Sequence, residues 1–176
     1  SLWINPSVVG GTNSVDVSSS YNILDLSGTT THPLSIFLHK QKLFVVTDNS
    51  TNPYGNSIST DISAGNWYHI AVTSNYINNT MSLYKNNVLQ TDTCGNPAPS
   101  IDSFVNIALG WRPGFPTGTT RVNTMPYQKG FAGRMVYLNV FNKELSSADV
   151  SLLYQNPGYN LTTTERGLMT IGIEND

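Results

Sequence analysis

Trp111, Arg112, Phe115, Arg121 and Tyr127 fall in one stretch, from Gly110-Trp111-Arg112-Pro113-Gly114-Phe115-Pro116 through Tyr127-Gln128-Lys129, that carries no periodic signal for helix or strand. Aromatic faces stack on the C–H surfaces of sugars, and guanidinium groups donate to hydroxyls and carboxylates. This mixture therefore suits contact with a glycan or a protein surface. The same residues have a second use, in which Trp111 and Phe115 cap one end of a β-sandwich, and the sequence leaves both open. Hard oxygen ligands for Ca²⁺ are offered by Asp48-Asn49-Ser50-Thr51-Asn52 and by Asp61, so Asp48, Asn49 and Asp61 are the candidate metal ligands. Asp16 and Asp102 are weaker candidates, and the chain has no dense carboxylate cluster.

Catalysis finds little to use. Glu144, Glu165 and Glu174 stand alone, and the patterns G-x-S-x-G, H-E-x-x-H, the P-loop and G-x-G-x-x-G are missing from the sequence. His69, close to Trp67, is by residue type a candidate base. Cys94 is the single cysteine, which excludes an internal disulfide and a cysteine metal cage, and no catalytic neighbours surround it. The expectation is a protein that is not an enzyme.

The elements that must position these residues are those of one domain of 176 residues. Apolar residues make up 39% of the chain, enough for a packed core, whereas charged residues reach only 11%, well under the usual quarter, so Asn, Ser and Thr supply the polarity. A net charge of -2 gives no field that would draw in a phosphate backbone, so nucleic acid is not an expected partner. No apolar run reaches a membrane span, and direct membrane insertion is not expected. The start at Ser1, without a basic leader, reads as that of a processed or excised piece of a longer chain. Sequons at Asn49, Asn78 and Asn160 are matched by chance in so Asn-, Ser- and Thr-rich a chain and do not fix a compartment.

Short segments rich in β-branched and aromatic residues, separated by Asn, Gly, Pro and Ser, predict a sandwich. Leu34 to Leu38 and Leu43 to Thr47 form a hairpin with a polar tip at His39-Lys40-Gln41-Lys42. Asn66 to Thr73 alternates so that Trp67, His69, Ala71 and Thr73 share one face and Tyr68, Ile70 and Val72 the other. Met81 to Tyr84 returns antiparallel to it, and Lys85-Asn86-Asn87 turns tightly into Val88-Leu89. Further strands are expected at Phe104 to Leu109 and, as one long strand, at Phe131 to Phe141. One helix follows, N-capped by Ser146, with Asp149 in its first turn, Leu145 stapled to Val150, and a stripe of Val150, Leu153 and Tyr154. Asn156-Pro157-Gly158 stops it. Residues 159–176 read as an extended tail with a last strand at Gly167 to Ile173, which leaves 1–158 as the domain.

Three pieces in order resemble the laminin-G-like, concanavalin-A-like lectin/glucanase superfamily. Leu2-Trp3-Ile4-Asn5-Pro6 is similar to its early strand, and Gly65 to Thr73 followed by Leu83-Tyr84-Lys85-Asn86-Asn87-Val88 to its W-x-H hairpin and turn. Phe131-Ala132-Gly133-Arg134-Met135 through Ser146 is similar to its closing segment. The resemblance implies an all-β, antiparallel jelly-roll β-sandwich with one short C-terminal helix, with Trp3 and Trp67 in the core and His69 hydrogen-bonded inside it. Asn87 stands where the family has Gly, and Met135-Val136-Tyr137 replaces its acidic residues. The family's preceding edge strand is either in sequence outside this chain or replaced by Gly167 to Ile173. Glycosidases of the superfamily carry an E-x-D-x-E strand that sets a nucleophile and an acid roughly 5 Å apart, and this chain has none.

These readings together predict a non-catalytic recognition module for carbohydrate or a glycosylated surface. The alternative is a structural or decoration domain of a virion or cell-surface assembly whose partners are neighbouring protein subunits. A degenerate glycoside hydrolase is the remote third. The expected setting is extracellular, at a cell surface or on a virion.

Overall fold

The computed structural model describes residues 1–9, 20–27, 34–49, 52–75, 77–78, 80–90, 106–110, 128–141, 143–158 and 169–170. The strands are β1 (Leu2–Pro6), β2 (Ser20–Ser27), β3 (Leu34–His39), β4 (Lys42–Asn49), β5 (Asn52–Asp61), β6 (Tyr68–Asn75), β7 (Thr80–Lys85), β8 (Val88–Leu89), β9 (Asn106–Leu109), β10 (Gln128–Gly130), β11 (Gly133–Val136), β12 (Asn139–Val140) and β13 (Met169–Thr170). The helix is α1 (Ser147–Gln155). One sheet has the order β11-β1-β6-β7-β8. The second runs β10-β2-β3-β4-β5, with β9 also on β2. The two stack as the expected jelly-roll sandwich. One pairing departs from the antiparallel expectation, since β10 runs parallel to β2.

The core between the sheets follows from strand alternation. Leu2 and Ile4 of β1, Ile70 of β6, and Met81 and Leu83 of β7 face Ile36 and Leu38 of β3, Leu43 and Val45 of β4, and Ile58 of β5, all buried. Each such side chain taken out of water stabilises the fold by about 1.5–3 kcal/mol before entropy is set against it. Both central hairpins turn in two residues held at positive φ. Asn86 and Asn87 (50° and 65°) are of the residue type that tolerates this, and their side chains also tie the turn to the rest of the fold: Asn86 Oδ1 accepts from the His69 amide at 2.9 Å, and Asn87 Nδ2 donates to Ser151 Oγ at 3.2 Å. Lys40 and Gln41 make the other turn at φ 49° and 60°.

The outer face of the first sheet is where α1 packs. Ser146 caps the helix through a complete capping box with Asp149, whose carboxyl is held below its ordinary value by the Ser146 hydroxyl and then the Ser146 amide. Leu145 and Val150 bury together as the staple, and with Leu153 they close over Ala71 of β6. Beside them Tyr154 stacks on Trp3 (centroids 5.6 Å apart, planes 8° apart), and His69 lies against both rings at 5.4 and 5.8 Å.

Three expectations need correction. Trp67 is not a core residue: it precedes β6, beyond the reach of the helix, and is 40% exposed. Trp3 packs on the outer face under Tyr154, not between the sheets. The long strand from Phe131 to Phe141 is broken into β11 and β12 by Tyr137, whose φ of 54° inserts a left-handed residue and shifts the alternation by one. Met135 and Leu138 consequently both turn inward. At the start of β11, Gly133 has φ 151°, and a Cβ there would collide with the Asn5 carbonyl oxygen, so the close approach of β11 to β1 requires glycine. In the tail, Met169–Thr170 pairs antiparallel with Asn139–Val140.

Candidate functional site

The groups that could do chemistry are, in the described residues, mostly committed to structure. Asp25 is fully buried on the outer face of the second sheet, where it accepts a hydrogen bond from Ser35 Oγ on the adjoining strand. Its register neighbours on β3 and β9 are Ser35 and Ala108, neither of which carries the second carboxylate of a retaining glycosidase. Glu144 accepts from Asn75 Nδ2 at 2.6 Å, and Asp149 serves the helix cap. His69 is fully buried. Its Nε2 meets Ser1 Oγ at 2.9 Å, and burial lowers its pKa to about 4, so the ring is neutral. A neutral imidazole sealed between sheet and helix has no access to a substrate. Ser20 and His39, joined Oγ to Nδ1 at 2.9 Å, pair a hydroxyl with an imidazole, but Ser20 is fully buried as well.

The proposed metal ligands are not brought together. Lys42 lies opposite Asp61 at one end of the β4–β5 hairpin, and Asn49 lies opposite Asn52 at the other. From Lys42 to Asp48 along an extended strand is about 20 Å. Asp61 and Asp48 therefore cannot share one ion. Asp61 is paired with the Lys42 ammonium at 2.8 Å, which lowers its carboxyl pKa by hydrogen bonding and by charge, and its carbonyl accepts from Lys85 Nζ at 2.8 Å. Two ammonium groups at one aspartate do not suit a divalent cation. The side chains of Asp48 and Asn49 lie outside the described residues. Among those described, no group of three or more His, Cys, Asp or Glu is placed to hold a metal.

Trp111, Arg112, Phe115, Arg121 and Tyr127 also lie outside the described residues, as do Cys94, Asp16 and Asp102. Their flanks are placed, however. Gly110 donates to the Ile23 carbonyl at 2.8 Å and accepts from Phe131, while Gln128 starts β10 opposite Ser20. Both flanks lie toward the end of the sandwich where β2 begins and β3 turns into β4. The turn at Lys40-Gln41, the segment Ile62 to Trp67 and the residues after β1 meet at that same end, through Gln41 N to Val9 O (3.0 Å), Ile62 N to Gln41 O (2.9 Å) and Gly65 N to Pro6 O (2.8 Å).

At this end the described surface carries an aromatic ring and polar groups, and the ring is Trp67, expected in the core. Trp67 is open to solvent, Asn66 beside it is exposed, and Asn5 Nδ2 reaches the Gly65 carbonyl at 3.4 Å. Alternation alone does not separate Trp67 from His69 and Ala71. The signal that could have done so is the length of α1, which fixes how far along β6 its cover extends.

Residues 1–151 match the Concanavalin A-like lectin/glucanases superfamily. The chain belongs to it. No curated protein sequence gives a significant match. Among solved structures, a SAP-like pentraxin from Limulus polyphemus aligns with TM-score 0.60 and 17% identity over 87% of this chain and 67% of its own. A protein from Bacteroides ovatus, described as a proposed carbohydrate binding protein, aligns with TM-score 0.56 and 13% identity over 85% and 38% of the two chains. The ligand binding domain of botulinum neurotoxin serotype D, in complex with N-acetylneuraminic acid, aligns with TM-score 0.54 and 17% identity over 88% and 35%. This superfamily member thus spans about two fifths of the Bacteroides protein and about a third of the toxin domain. At these identities the likeness is one of fold.

Proposed function

We propose that this domain is a non-catalytic recognition module that binds carbohydrate or a glycosylated surface, in an extracellular, cell-surface or virion setting. The observation that carries this reading is a contrast on the described surface. The acids named above and the family-type histidine are tied into contacts within the protein, while the indole of Trp67 is left open at the end of the sandwich where Gly110 and Gln128 lie. Exposed aromatic rings with amides around them suit the alternating C–H and O–H faces of sugars. The lectin-like scaffold, and neighbours described as binding carbohydrate, support the same ligand class. Trp111, Arg112, Phe115, Arg121 and Tyr127 are the residues proposed to make the contact.

A glycan array followed by calorimetry on the wild type and on the Trp111→Ala, Arg112→Ala double variant tests this. Retention of a defined glycan by the wild type, with at least about tenfold weaker binding by the variant, is the expected result. Equal binding by both removes these residues from the site, and no glycan retained by the wild type removes the function.

The structural-assembly reading rests on a different feature. β8 at the edge of the first sheet presents Val88 (61% exposed) and Leu89 (49%) to solvent, an apolar edge of the kind that pairs with another chain. Concentration-dependent association abolished by Val88→Lys would favour it.

A further inference from the structure

We propose that the outer face of the first sheet carries a site for one carboxylated sugar ring, formed by Trp67, Asn5 and Arg134. The inference rests on the carbohydrate reading above and adds both a location and a charge requirement to it.

Register places the three residues side by side. In β1 and β11, Asn5 lies opposite Arg134 and Trp3 opposite Val136. In β1 and β6, Ile4 lies opposite Tyr68, so Trp67, one residue earlier, comes next to Asn5 on its other side. Leu2 and Ile4 point into the core, so Trp3 and Asn5 point out, and alternation from His69 carries Trp67 to the same outer face. Arg134 and Asn5 thus lie in register on β11 and β1, and Trp67, just ahead of β6, continues the row on the other side of Asn5, about 10 Å from end to end at the usual strand spacing. Val136, 40% exposed, lies behind Arg134 and gives the row an apolar flank.

The chemistry of the row is complementary to an acidic sugar. Arg134 is exposed and has no hydrogen bond or ion pair among the described residues, so its planar fork is available to a carboxylate. Trp67 offers a ring face for the sugar C–H surface. Asn5 gives one amide hydrogen to Gly65 and keeps its carbonyl oxygen for a hydroxyl. Arg134 is the one guanidinium among the described residues, and on a chain of net charge -2 it matches a single carboxylate rather than a polyanion. The row is also pre-formed: Gly133 lets β11 close on β1 beside Asn5, and the Trp3–Tyr154 stack anchors the neighbouring row.

The test titrates the 176-residue chain with the methyl glycosides of glucuronic acid, N-acetylneuraminic acid and galactose, following indole fluorescence and calorimetry. At least one acidic glycoside should bind more tightly than the galactoside. Trp67→Ala and Arg134→Gln should each weaken that acid by at least about tenfold while lowering the melting temperature by no more than about 4 °C, since both positions are exposed. Acidic-sugar affinity that survives either substitution overturns the proposal, as does a wild type that binds neither acid. If array glycans are retained and lost only in the Trp111→Ala, Arg112→Ala variant, this row fails and the carbohydrate reading stands. If no glycan is retained at all, both fail.

Discussion

The outer face of the first sheet has two halves built from one pattern. Trp67, His69, Ala71 and Thr73 alternate as a single stripe, yet His69, Ala71 and Thr73 are buried, the first two beneath or beside α1, and Trp67 faces solvent. The same residue type divides in the same way: the Trp3 ring is covered by Tyr154, and the Trp67 ring is not. A β-strand determines which side a residue faces, but the element packed on that side determines whether it is core or surface. In this molecule the helix ends its cover between the two halves, and the uncovered half is where the proposed recognition row lies.

Paired substitutions break or sharpen this contrast. Trp3→Ala should cost about 3 kcal/mol in chemical denaturation because it removes a stacked, mostly covered indole, whereas Trp67→Ala should cost less than about 1 kcal/mol. Equal costs would mean that both halves are covered. The next effect is a pH dependence confined to the covered half. Unfolded histidine takes up a proton below about pH 6.5, while His69 in the fold resists until about 4, so the unfolded state binds more protons across that window. Stability should therefore fall as pH is lowered from about 6.5 toward 4, by up to about 1.4 kcal/mol per pH unit, and His69→Gln should flatten that slope. An unchanged slope in the variant would place the titrating group elsewhere. The smallest effect concerns the cover itself. Ser146→Ala removes the cap and half of the capping box, and should cost about 1 kcal/mol and increase iodide quenching of Trp3 without changing that of Trp67. Quenching that changes at Trp67 instead would contradict the proposed boundary of the cover.

Much of the architecture was legible in the sequence because local rules there agree with the fold. The hairpin around Lys40-Gln41, the meander from Tyr68 to Leu89 with its Asn86-Asn87 turn, and the stapled helix behind Ser146 all follow from alternation, turn chemistry and capping. β2 and β5 escaped notice for opposite reasons. β2 buries Asn22 and Asp25 and carries a register shift between Asn22 and Leu24, so its pattern is not clean. β5 is mostly polar and contains Pro53 and Gly55, which read as loop residues. The break at Tyr137 was invisible because nothing local demands a left-handed tyrosine. The site was legible only in part. The aromatic-basic composition of residues 111–127 pointed to recognition, but the neighbourhood of Trp67, Asn5 and Arg134 is made by strands distant in sequence, and only the register unites them.

The most direct test of a binding rather than a catalytic role is a glycan array probed with the 176-residue chain, with each retained glycan then incubated with the protein and assayed for released reducing sugar. The account predicts retention of at least one glycan class and no release. Failure to retain any glycan, or hydrolysis of a retained one, would contradict it.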